Sequence, residues 1–67
     1  MTPEAVAKQI HLMLCRMTPA GRMIMIRTIR REFDVSGCKI ETFEEGLVYG
    51  EGAGWFSVSG KALLRKI

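Results

Sequence analysis

The sequence predicts an α+β domain with two N-terminal helices, a short third helix or strand, a β-hairpin and a short C-terminal helix or strand. Three observations support this expectation. Two Thr-Pro steps each precede a stretch whose apolar residues recur at helical spacing. Two later stretches are rich in β-branched and aromatic residues and flank a glycine-rich segment. A chain of 67 residues has the size of one small domain, so residues 1–67 are interpreted as a single unit.

The first helix begins at Thr2-Pro3-Glu4. Threonine caps a helix, proline suits the first helical position, and glutamate suits the positive end of the helix dipole. An apolar stripe predicts that this helix continues to about Arg16, and its members are Val6, Ile10, Met13, Leu14 and Met17.

A second helix is predicted over residues 19–33, because Thr18-Pro19 repeats the same starting device. Its two sides differ in character. One side is apolar and contains Met25, Ile26, Ile29 and Phe33. The other side places three arginines within a sector of roughly 100°. Such a cluster is commonly a solvated helix face, but guanidinium groups also suit contacts with phosphate or carboxylate. The three residues are Arg27, Arg30 and Arg31.

Residues 37–45 fit two structures. As a helix, the segment is capped by Ser36, carries Ile40 and Phe43 on one side, and stops at Gly46. As a strand, Cys38, Ile40 and Thr42 share one face. We favour the helix.

A β-hairpin is predicted from strands 47–49 and 55–58, joined by an exposed loop at 50–54. Trp55 and Phe56 are neighbours in the second strand and point to opposite faces, so one of them is expected to be exposed or at an interface. After a break at Ser59-Gly60, the terminal segment turns apolar residues inward and basic ones outward. The outward residues are Lys61, Arg65 and Lys66.

Composition excludes several classes of function. No run approaches the roughly 18 apolar residues of a membrane span, and no signal peptide is evident, so we expect a cytoplasmic protein without membrane association. The two cysteines are far apart and are interpreted as reduced thiols. His11 has no catalytic context, and with Cys15 it would need Cys38 and another group to hold a metal. We therefore predict neither an enzyme nor a cofactor.

Charge and methionine content point to macromolecular partners. Ten Lys and Arg residues against seven Asp and Glu give a net charge of +3, which permits contact with nucleic acid or with an acidic protein surface. Four of the five methionines lie in the two helical segments, and flexible thioethers suit adaptable interfaces. A homodimer is therefore expected.

Residues 29–40 read Ile-Arg-Arg-Glu-Phe-Asp-Val-Ser-Gly-Cys-Lys-Ile and resemble the turn region of helix-turn-helix DNA-binding domains. The segments Gly46-Leu47-Val48-Tyr49 and Gly54-Trp55-Phe56 resemble the wing of GntR-like winged-helix regulators. The similar segments lie within residues 29–58, a little under half the chain. This resemblance implies a winged-helix-like fold and a DNA-binding transcription regulator.

Two functions follow from these patterns. In the first, the chain binds duplex DNA through Arg27, Arg30, Arg31, Lys39, Lys61, Arg65 and Lys66. In the second, it is a small inhibitor or adaptor, of the sort phages and mobile elements encode, that binds a host protein through its charged faces. The second gains weight because the segment that would read DNA bases is acidic. The interface residues named for it are Tyr49, Trp55, Glu41, Glu44 and Glu45.

Overall fold

A computed structural model describes residues 2–67 and confirms the α+β class. Within these residues, three α-helices pack on a three-stranded antiparallel sheet in which the last strand of the chain lies in the middle. A short 3₁₀-helix, Ile40–Thr42, precedes the third α-helix. The other elements, in chain order, are α1 Pro3–Met17, β1 Met23–Met25, α2 Ile26–Val35, α3 Phe43–Gly52, β2 Phe56–Ser59 and β3 Ala62–Arg65.

Helix α1 begins where the sequence predicts. The Thr2 hydroxyl accepts a hydrogen bond from the Ala5 backbone N–H at 3.2 Å, and proline follows at the first helical position. The helix ends at Met17, where the Thr18 N–H donates to the Leu14 carbonyl at 2.8 Å. Its predicted apolar stripe is buried except for Met17, which is exposed.

The predicted start of the second helix at residue 19 is wrong. Residues 19–22 form a turn, in which Gly21 has φ +81° and the Arg22 N–H donates to the Pro19 carbonyl at 3.2 Å. The next three residues form strand β1, because they pair with β3 in the register Met23↔Leu64. Pairing with a distant strand overrides their local helical spacing, so α2 begins only at Ile26.

Residues 40–45 are helical, as favoured over a strand, but residues 37–39 form the connecting turn. Ser36 is the C-cap of α2 and not the N-cap of the next helix. Helix α2 ends in a left-handed glycine, Gly37, with φ +84°. The N–H of Cys38 donates to the Phe33 carbonyl at 3.3 Å, and that of Gly37 donates to Asp34 at 3.0 Å, which forms a Schellman cap. The chain then enters the 3₁₀-helix and α3.

The predicted strand 47–49 is wrong, because these residues lie in the middle of α3. Gly46, which was predicted to stop a helix, and Gly50, which was assigned to the loop, are packing residues inside α3 instead. A Cβ atom on Gly46 would overlap the Val6 side chain, and one on Gly50 would overlap the Phe56 ring. Glycine at these two positions lets α3 approach α1 and β2 closely, so Gly46 does not stop the helix. The helix ends at Gly52, and Gly54, two residues later, has φ +80°.

The hairpin lies later in the chain than predicted and consists of β2 and β3 in the register Ser59↔Ala62. A two-residue turn joins the strands, with φ +60° at Gly60 followed by Lys61, as in a type II′ turn. The terminal segment is therefore a strand and not a helix, and β3 occupies the middle of the sheet.

The core lies between the helices and one face of the sheet. The Phe33 and Phe43 rings meet edge to face at 5.3 Å, and Phe56 and Leu63 reach them from the sheet.

Along the outer edge of β2, the Glu51 carboxylate accepts a hydrogen bond from the Val58 N–H at 3.2 Å. Among residues 2–67, each helix is too short or too polar to cross a bilayer.

Candidate functional site

Four cationic side chains form a basic surface, defined here as Arg27, Arg30, Arg31 and Lys61. The arginines are spaced at i, i+3 and i+4 on α2, so their Cβ atoms are neighbours about 5–6 Å apart. Lys61 reaches them because the Ile26 N–H donates to the Lys61 carbonyl at 2.8 Å, which fixes the hairpin turn beside the start of α2. The hairpin therefore adds a fourth cation to a cluster that the helix begins.

Two open grooves show that the basic surface is continuous. One has a volume of about 360 Å³ and runs between the start of α2 and the hairpin turn, lined in part by Arg27, Arg30, Glu44 and Lys61. The other lies on the α2–α3 side and is lined by Arg27, Arg30, Arg31, Asp34 and Ile40. Arg27 and Arg30 line both, so a ligand crossing α2 would meet the cations in succession.

The N-terminus of α2 adds to this positive potential. The N-cap residue Met25 makes no side-chain capping bond, and the first turn holds no acidic residue. The helix dipole places partial positive charge at this end, where Arg27 also lies. The missing cap and the missing acidic residue would destabilise an isolated helix, but they leave the positive end of α2 suited to a bound anion.

The structure separates the other predicted basic residues. Lys39 is exposed in the α2–α3 turn, next to Ile40 at the margin of the basic surface. Lys66 is exposed at the far end of β3, about 16 Å along the strand from Lys61. Lys66 is therefore not part of the basic surface.

Arg65 is used inside the fold. Its guanidinium Nη1 donates to the Thr18 carbonyl and its Nε to the Ile67 carbonyl, each at 2.8 Å. These bonds tie the end of the sheet to the end of α1. Because the side chain is half-buried and both contacts are to main-chain carbonyls, Arg65 stabilises the fold and does not join the basic surface.

A second surface lies on α3 and the start of α1, and we call it the apolar–acidic surface. It is a groove of about 430 Å³ with almost wholly apolar walls, lined by Pro3, Glu44, Glu45, Val48 and Tyr49. The sequence named all of these except Pro3 and Val48. Val48 was missed because it was assigned to a strand. In a helix, Val48 and Tyr49 lie one turn after Glu44 and Glu45, so helical spacing would have placed all four residues on one side. Glu41 is exposed in the preceding 3₁₀-helix.

Aromatic contacts extend this surface toward the C-terminus. The Tyr49 and Trp55 rings meet edge to face with centroids 5.9 Å apart, and His11 lies 6.0 Å from Trp55. Phe56 is fully buried, whereas Trp55, the residue before β2, is half-buried and packs against the core. Trp55 lines an adjoining groove with Lys8, His11, Leu12 and Ile67.

His11 and Cys15 are close, with the thiol sulfur 3.6 Å from Nε2. The same nitrogen donates to the Ile67 carbonyl at 2.9 Å. Within residues 2–67, no three His, Cys, Asp or Glu side chains are placed to hold a metal ion together. In the described part of the chain, this pair therefore lacks the third ligand that a tetrahedral site would need.

Comparison with protein-family models, with curated proteins and with solved structures finds no match for this chain. The function is therefore inferred from the surfaces themselves.

Proposed function

We propose that the protein binds duplex DNA through its basic surface and acts as a transcription regulator of the winged-helix type. The observation that carries this proposal is the convergence of three α2 arginines and the hairpin-turn lysine on one surface, with Arg27 at the positive end of α2. DNA binding agrees with the cytoplasmic location expected from the sequence.

The arrangement of the elements supports the proposal. Helices α2 and α3 are joined by a short turn and followed by a β-hairpin, which is the order of elements in winged-helix regulators. The residues that resemble the first wing strand, 46–49, lie in α3, so the support comes from this order and from the β2–β3 hairpin. In helix-turn-helix proteins, the first helix crosses the DNA backbone while the second enters the major groove. Helix α2 is the first helix here, so its arginines suit phosphate contacts. The β2–β3 hairpin would act as a wing that brings Lys61 to a neighbouring phosphate.

The charge of α3 limits what the protein can recognise. Phosphate contacts fix position and register but carry no sequence information. Glu44 and Glu45 lie exposed in the first turn of α3, where a base-reading helix would enter the groove. Their carboxylates oppose the electrostatic attraction that provides most non-specific affinity. We therefore expect affinity for unrelated duplexes to differ only by a few-fold.

A fluorescence-anisotropy titration with short labelled duplexes tests the proposal. Four phosphate contacts predict a slope of about −3.6 for the logarithm of affinity against the logarithm of salt concentration. The double variant R27E/R31E should abolish most binding between about 50 and 200 mM salt. R16E/K66E is the matched control, because it changes the net charge equally at two exposed sites outside the basic surface.

Two results would contradict DNA binding at this surface. The first is the absence of measurable affinity at low salt. The second is an equal loss of affinity in the two double variants, which would show that only net charge matters.

The alternative, a small inhibitor or adaptor that binds a protein, is favoured by a separate observation: Val48 and Tyr49 are exposed beside Glu44 and Glu45. If the titration shows no DNA affinity, protein binding is the better proposal.

Homodimer formation stays a prediction, and sedimentation of the purified protein measures it.

A further inference from the structure

We propose that the apolar–acidic surface is a second binding site, which receives a segment of a partner protein whose apolar side chains are flanked by lysine or arginine. Glu44 also borders the groove that contains Lys61, but the apolar wall of this site lies outside the basic surface, and binding there does not depend on DNA binding.

Exposure of apolar side chains on α3 is the first support. Val48 is 72% exposed and Tyr49 39% exposed, although both lie on a helix whose opposite side is buried. The buried side is formed by Phe43, Gly46, Leu47 and Gly50. Val48 and Tyr49 therefore add little to the core, and they form the apolar wall of a groove instead. With Pro3 they form a contiguous apolar surface that an apolar side chain of a partner could cover.

Charge complementarity identifies the partner. Glu44 and Glu45 border the apolar wall, so a segment with cations beside its apolar anchors would satisfy both features of the groove. The Tyr49 ring can also accept a cation against its face. Nucleic acid does not suit this groove, because its phosphates would face the two carboxylates. A second copy docked symmetrically would place Glu44 and Glu45 against their own equivalents, which is also unfavourable.

The neighbouring aromatic side chains provide room for a second anchor. Tyr49 contacts Trp55 edge to face, and Trp55 lines the adjoining groove with Leu12, which is 56% exposed. Tyrosine and tryptophan are frequent energetic anchors of protein interfaces. Two apolar side chains of one helical segment, three or four residues apart, would reach neighbouring positions on such a surface.

A synthetic peptide tests the occupant directly. The probe is a labelled peptide of about four helical turns, with leucine on one face and lysine at the flanking positions. One matched peptide carries glutamate in place of lysine, and another carries serine in place of leucine. We expect the full-length chain to bind the probe at least about tenfold more tightly than either matched peptide.

Variants locate the site. Val48→Ser and E44Q/E45Q should each weaken probe binding by about tenfold. Val35→Ser is the matched control, because Val35 is 76% exposed at the end of α2 and lies outside the groove. Both valines are exposed, so serine should leave the fold intact, which circular dichroism checks. R27E/R31E should still bind the probe, which separates this site from the DNA site.

Three outcomes would overturn the proposal. Equal binding of the lysine and glutamate peptides would remove charge complementarity. Equal affinities of the Val48→Ser and Val35→Ser variants would remove the groove from the site. Sedimentation that shows a dimer dissolved by Val48→Ser would identify a second copy of this chain as the occupant.

Discussion

Replacing Gly50 by alanine adds one methyl group where α3 approaches β2 most closely. The new Cβ would lie 3.0 Å from Cε1 of the Phe56 ring and would overlap two further ring carbons. Ordinary carbon contacts are about 3.5–4.0 Å, so the ring or the helix must move by more than about 1 Å. Phe56 is fully buried, which leaves the ring little space to move.

The magnitude follows from two opposing effects. Overpacking a buried site typically costs about 1–3 kcal/mol, while alanine gains about 0.8–1 kcal/mol in helix propensity over glycine. Because the overlapped ring is enclosed, we expect a net loss of about 1–2 kcal/mol in the free energy of unfolding. For a chain of this size, the melting temperature should fall by roughly 5–15 °C.

Gly52→Ala is the matched control for this prediction. Gly52 ends the same helix, and a Cβ atom there meets no heavy atom within 4 Å. We expect this variant to be as stable as the natural chain or up to about 1 kcal/mol more stable. Urea unfolding followed by circular dichroism measures both variants. Equal changes in the free energy of unfolding for the two variants would refute the packing of α3 on Phe56. In an exposed loop at 50–54, alanine would have the same effect at both positions.

Three other substitutions have defined outcomes. Gly37→Ala should lower the free energy of unfolding by about 1–2 kcal/mol, because alanine is strained at φ +84°; urea unfolding measures it. Arg65→Met should cost about 1–3 kcal/mol by removing bonds to Thr18 and Ile67, yet leave the salt slope of DNA affinity unchanged. Glu44→Gln should raise DNA affinity a few-fold in the anisotropy titration, because it removes a carboxylate from the groove that contains Lys61. Lower affinity of this variant would contradict the proposed placement of DNA along this groove.

The features that the sequence predicts well depend on local chemistry. The Thr2-Pro3 start of α1 needs only a capping hydroxyl and a proline, and both act within one helical turn. The arginine side of α2 follows from helical spacing alone, even though the predicted start of that helix was wrong.

The features that the sequence predicts poorly depend on distant partners. Strand β1 has three residues, and its conformation is determined by β3, which lies about forty residues later in the chain. Gly46 and Gly50 look like loop residues until Val6 and Phe56 are placed against them. The apolar–acidic surface could not be recognised without α3, because Glu44, Glu45 and Val48 share a surface only on a helix.

The contact between Glu51 and Val58 has a consequence for growth of the sheet. The Val58 N–H points away from β3, along the edge where an added strand would bind, and the Glu51 carboxylate occupies it. Edge strands with free main-chain groups are templates for pairing with other chains. Strand addition is therefore directed to the β1 edge, where Met23–Met25 offers only three residues. Removal of the Glu51 carboxylate by substitution would leave the edge of β2 open to intermolecular pairing.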